Sequence, residues 1–139
     1  MIEFVYGILA SFGYRHPIHP PSVHVPMGMI LGGFVFQALS LRWERFKESA
    51  YYCLVLALIA SPVAAVLGLM DWQHRLLGHM TPFVIAKMVL SALFMTVLGI
   101  TVYLKHNNRM TSKAMLIAYA ACAVLAVGLG FVGGELAYG

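Results

Sequence analysis

The stretch AYYCLVLALIASPVAAVLGLM, Ala50 to Met70, decides the fold class, because it carries no charge along its length. A helix needs roughly 20 consecutive apolar residues to cross a bilayer, and this stretch supplies them. Its one irregularity is Ser61-Pro62. Pro62 lacks the N–H that would bond to the preceding turn, which predicts a kink. Three further stretches read the same way. Val23 to Leu41 has His24 as its only titratable residue, Met80 to Leu104 is interrupted only by Lys87, and Ala114 to Gly134 has no charge.

The 139 residues are therefore expected to form one all-α domain, an integral membrane four-helix up-down bundle with helices at about 23–41, 50–70, 81–104 and 114–134. Composition agrees. Charged residues make up 10% of the chain, whereas soluble domains carry about a quarter. Residues Ile2 to Phe12 are too short to span. Glu3 stands where a signal peptide would have basic residues, and no small-residue cleavage site follows. An interfacial helix or a partner-facing segment is expected there.

Six of the nine Lys and Arg residues fall in the first and third connections: Arg42, Arg45 and Lys47, then Lys105, Arg109 and Lys113. The positive-inside rule puts these connections in the cytoplasm of a bacterial inner membrane and both termini on the outer, periplasmic side. Tyr51, Tyr52 and Tyr103 then form an inner aromatic belt, and Tyr14, Trp72 and Tyr138 an outer one. The net charge of +4 is largely this topology signal. Nucleic-acid binding would need a folded basic surface, and none exists outside these short loops.

With that orientation, polar chemistry gathers at the outer side. His16, His19 and His24 precede or open helix 1, Asp71, His74 and His79 lie in the connection between helices 2 and 3, and Glu135 ends helix 4. Imidazole is costly in hydrocarbon unless bonded, so membrane-edge polar groups are functional candidates. Lys87 lies about six residues into helix 3, roughly 9 Å below its outer end. It should face the bundle, against Glu135, a cofactor carboxylate or a quinone carbonyl. His106 lies at the cytoplasmic side and reads as solvated.

His24, Gly28 and Gly32 fall four apart, on one stripe of helix 1. The two glycines beneath an imidazole leave a flat recess for a planar ring. Gly28 to Gly32 is equally a Gly-x-x-x-Gly packing motif. Helix 4 has a longer stripe of small residues (Ala118, Cys122, Ala126, Gly130 and Gly134) that fits close helix packing. Cys53 and Cys122 have neither metal nor redox spacing. Gly128 to Gly133 matches the dinucleotide pattern but lacks its strand–turn–helix context.

The segment His16-Pro17-Ile18-His19-Pro20-Pro21-Ser22-Val23-His24-Val25-Pro26-Met27-Gly28 resembles the opening of the DUF2231 family of bacterial four-helix membrane proteins. Gly68-Leu69-Met70-Asp71 is similar to that family's Gly-x-x-Asp turn, and Gly133-Gly134-Glu135-Leu136-Ala137-Tyr138-Gly139 to its C-terminal ending. The resemblance runs from residue 16 to 139. It implies a redox-associated membrane protein, with haem b bound in some members. Many members carry a His and, four residues later, an Asn early in helix 3. Here those positions are Lys87 and Ser91, which removes one potential axial ligand.

Three readings compete. The first is a b-type haem protein exchanging electrons with quinone or a partner protein, with His24 as ligand and His79, His74 or His19 as its partner. No Cys-x-x-Cys-His is present, so covalent attachment is excluded. The second is a divalent metal site at the outer face, in which His16, His19 and His24 with Asp71 offer N and O ligands for zinc or copper. The prolines there imply a fixed, extended segment. The third is a structural subunit of a larger membrane complex or a homodimer. No nucleophile–base constellation supports hydrolysis.

Overall fold

The computed structural model describes the chain except residues 1, 14, 15, 17, 76 and 139, and describes residues 135–138 by backbone alone. Five helices run in order: α1 (Ile2–Ser11), α2 (His19–Leu39), α3 (Phe46–Arg75), α4 (Pro82–His106) and α5 (Ser112–Tyr138). There is no strand among the described residues. The four long helices are each apolar and long enough to cross a membrane. They close into a ring in which α2 packs on α3, α3 on α4, α4 on α5 and α5 back on α2. Short connections make sequential neighbours antiparallel, as expected for an up-down bundle.

Packing holds the centre. Ile30, Leu54, Leu98, Tyr119 and Cys122 are fully buried there. Lipid tails are as apolar as leucine, so helices in a bilayer associate through close packing rather than the hydrophobic effect. Gly33 provides such an approach: a methyl group there would sit 3.1 Å from Cys53 Cβ and 3.2 Å from Tyr119 Cε1. Gly130 receives the end of Met27, and Cys122 and Ala126 are buried. The small-residue stripe of α5 is thus a packing surface. The opposite helix faces, such as Leu56, Ile59, Val63 and Val66 of α3, are exposed and apolar, as lipid contact requires.

Two of the boundaries that differ from expectation bear on the polar end. The first spanning helix begins at His19 rather than Val23, so the proline-rich segment is helical, not extended. Pro20 and Pro21 occupy the first turn, where a missing N–H costs nothing. The next helix runs on to Arg75, so Asp71 and His74 belong to its last turns rather than to a connection. It is a continuous helix across Pro62. The turn that follows uses left-handed backbone at Leu77 and Gly78. Then Thr81 caps α4 by accepting from the Val84 N–H, with Pro82 next in line.

α1 buries no residue of its own and, among the described residues, packs on α3 alone of the helices. It lies at the end of the bundle that carries the histidines.

Candidate functional site

The polar centre at that end is built on Asp71, buried in the last turns of α3. Its carboxylate accepts the His19 N–H at 2.8 Å and the Ile18 N–H at 3.3 Å. It also accepts the Tyr6 hydroxyl of α1. A helix start normally leaves its first N–H groups without partners. Here Ile18 and His19 donate to Asp71, and Pro20 and Pro21 have no N–H to satisfy. Ile18, the residue at the cap position, offers no side-chain acceptor. Asp71 therefore caps α2 from another helix, and its negative charge suits the positive helix end.

The cap fixes His19. Its Nδ1 lies 2.8 Å from the Ala64 carbonyl oxygen of α3. A carbonyl only accepts, so Nδ1 carries the proton and Nε2 keeps its lone pair. The ring lies on Gly68, where a methyl group would come within 2.9 Å of Nδ1. Nε2 has no hydrogen-bond partner among the described residues. It is not sealed off either, since the only wholly buried, unpartnered side-chain polar atom described is the Tyr119 hydroxyl. Lys87 of α4 completes the group. Its charge reaches both His19 and Asp71, and its Nζ lies against Gly133 of α5. It makes no hydrogen bond with a described residue. The expected pairing with Glu135 involves a side chain outside the described residues.

The other histidines go elsewhere. His74 stacks on Tyr6 with ring centroids 3.9 Å apart, and its Nδ1 lies 3.0 Å from a Glu3 carboxylate oxygen. His79 is exposed, and its carbonyl accepts from the Trp72 indole. His16 is exposed. His106, at the far end, meets the Tyr51 hydroxyl at 3.0 Å. His24 faces outward from α2, as does Gly28, and a methyl group at Gly28 or Gly32 would meet nothing. The recess on that stripe therefore opens away from the bundle.

No group of three His, Cys, Asp or Glu side chains gathers as a metal site among the described residues. The expected set of His16, His19 and His24 with Asp71 is not assembled. The cause is helical geometry. Five residues of α-helix turn the chain through about 140°, so His19 faces α3 while His24 faces outward. Asp71 is already committed to three donors.

Tyr6 and Glu3 carry interactions that their sequence does not advertise, since a ten-residue apolar helix gives no sign of what its polar side chains meet. At the opposite end, Gln37 is fully buried. It donates to the Ser112 carbonyl at 3.1 Å and accepts from Lys105 at 3.1 Å. A lone glutamine in an apolar helix was the available signal for that contact.

The chain belongs to the family described as "Predicted membrane protein (DUF2231)", which matches residues 15–139. No curated protein and no solved structure matches it.

Proposed function

We propose that this chain is a membrane redox subunit in which His19 holds a b-type haem at the end of the bundle where the termini lie. The observation that carries the proposal is the lock on His19. Its Nδ1–H is held by the Ala64 carbonyl, which presents Nε2 as a fixed lone-pair donor. Imidazoles that ligate metals are almost always held this way by their other nitrogen. His19 would supply one imidazole nitrogen to the group. Haem held by histidine supplies one-electron exchange, at a potential tuned by the second ligand and the local polarity. Quinone or a partner protein is the natural electron partner for a protein confined to the bilayer.

The surrounding residues have separable tasks. Asp71 fixes the backbone of His19, Gly68 leaves room for its ring, and Lys87 brings a positive charge for a carboxylate of the cofactor or a quinone carbonyl. The optical spectrum of detergent-purified protein from haem-replete cells tests the proposal. A Soret band that His24→Ala retains and His19→Ala loses is expected. No band in the wild-type protein, or a full band in His19→Ala, overturns it.

The basic residues favour a bacterial inner membrane with termini outside. An impermeant thiol reagent on intact cells should label Ser11→Cys and spare Ser49→Cys; the reverse pattern inverts the orientation.

A second reading has its own support. His24, Gly28 and Gly32 form an outward stripe, and no described residue lies over the two glycines. An imidazole facing lipid is costly, and glycines four apart let a second helix approach closely. A subunit whose α2 meets another copy or a larger complex would cover all three. Gly28→Leu should then dissociate the assembly in nanodiscs while leaving the Soret band in place.

A further inference from the structure

At the end of the bundle opposite His19, the connection after α2 and the start of α5 border an open depression of about 450 Å³. That is within the range of small-ligand sites, roughly 300–1,000 Å³. Arg42, Lys47 and Lys113 line it, with Glu44 as the single acid. Glu44 is held by Lys47 at 2.6 Å, which leaves Arg42 and Lys113 without a carboxylate partner among the described residues. The first turn of α5 also opens here. Thr111 takes the Ala114 N–H on its hydroxyl and the Met115 N–H on its carbonyl, and no described group takes those of Ser112 and Lys113. A helix start with such N–H groups favours an anion. A smaller depression of about 210 Å³ adjoins, sharing Lys47, Thr111 and Ser112.

We propose that the larger depression binds the phosphate head of an anionic phospholipid. The lipid, rather than a soluble phosphate, is favoured by position. The depression lies where four helices long and apolar enough to span a membrane end; exposed Leu41 lines it and exposed Met110 lines the adjoining one, apolar surface suited to acyl chains. Basic pockets between spanning helices at the cytoplasmic surface are suited to anionic head groups. Arg42 and Lys113 hold the phosphate from two connections, and the Ser112 and Lys113 amides complete the site. Bound lipid would then tie the α2–α3 connection to the α4–α5 connection.

Native mass spectrometry of the full chain, delipidated and then offered phosphatidylglycerol or phosphatidylcholine, tests this. The wild-type protein should retain phosphatidylglycerol preferentially. Arg42→Gln with Lys113→Gln should weaken that retention roughly thirty-fold, at about 1 kcal/mol for each cation. Arg75→Gln, which removes an exposed cation at the other end, should leave it unchanged. Helicity measured on each variant separates lost binding from lost fold. Equal retention of the two lipids by the wild-type protein overturns the proposal, as does unaltered phosphatidylglycerol retention in a folded double variant. Displacement of the lipid by millimolar glycerol phosphate also overturns it, because the site would then belong to a soluble phosphate.

Discussion

The two ends of the bundle solve the same problem with opposite results. At the basic end, Gln37 is fully buried and both ends of its amide are used, one by Ser112 and one by Lys105. Three helices are clasped, and the amide nitrogen and oxygen each have a partner. At the terminal end, Asp71 is saturated by Tyr6, Ile18 and His19, yet the network it supports keeps spare capacity. His19 has an unused nitrogen and Lys87 an unpaired ammonium among the described residues. A closed polar network specifies structure; one with unspent valence can bind something. That difference puts the candidate redox chemistry at the terminal end, while the spare donors of the basic end lie outside the Gln37 clasp.

The most direct way to break the comparison is Asp71→Ala. Hydrogen bonds to a charged group contribute about 1.5–3 kcal/mol each, and this change strands donors from two elements. A loss on the order of 3 kcal/mol or more is expected in a denaturation titration in detergent, together with loss of the His19 site. A loss near zero would mean that the cap is idle.

Next in size is Gln37→Ala, which leaves a buried carbonyl and an ammonium without their partner. A loss of about 1–3 kcal/mol is expected, with no effect on any spectrum arising at His19. A spectral change there would show that the two ends are coupled. Two glycines sharpen the contrast further. Gly33→Ala overpacks the core against Cys53 and Tyr119 and should cost roughly 1–3 kcal/mol. Gly68→Ala should act differently, pushing the His19 ring off Ala64 and altering ligand binding more than stability. If both behave as plain packing defects, the terminal end has no special role.

Lys87→Met should change stability by less than about 1 kcal/mol if it breaks no pair with Glu135, while shifting cofactor or quinone properties. A loss of roughly 3–5 kcal/mol would instead identify Lys87 as half of a buried ion pair. The smallest effect belongs to Glu44, whose carboxyl is held below its usual range by the Lys47 hydrogen bond and charge. A depressed carboxyl stabilises the fold above its unfolded-state value and loses that contribution as pH falls through the folded one. Glu44 is fully exposed, so Glu44→Gln should leave the acid side of the stability profile unmoved within error.

The spans were legible because hydrophobic length is a local property, and Ala50 to Met70 needs no context to be read. The site was legible only in part. Its residue types stood out, since His19, Asp71 and Lys87 are conspicuous in apolar sequence. Their assembly did not, because Asp71 meets His19 across 52 residues and no periodicity encodes such a contact. The proline run misled in a specific way. Pro20 and Pro21 suggest extended chain, yet they suit a helix start that lacks amide partners. That shift brought His19 into α2 and turned His24 to the outside. Tyr6 was out of reach for a similar reason, as nothing in α1 announces a carboxylate 65 residues away.

The cap on α2 also has a consequence for biogenesis. Its acceptor is made 52 residues after the amides it serves. At a synthesis rate of about 5–20 residues per second, α2 waits roughly 3–10 s for Asp71 to emerge. During that interval Pro20 and Pro21 expose no amide hydrogens, so only Ile18 and His19 go unserved. Asp71 can reach them only after α3 has folded back alongside α2. Completion of the first turn of α2 is thus tied to the pairing of the two helices through one carboxylate.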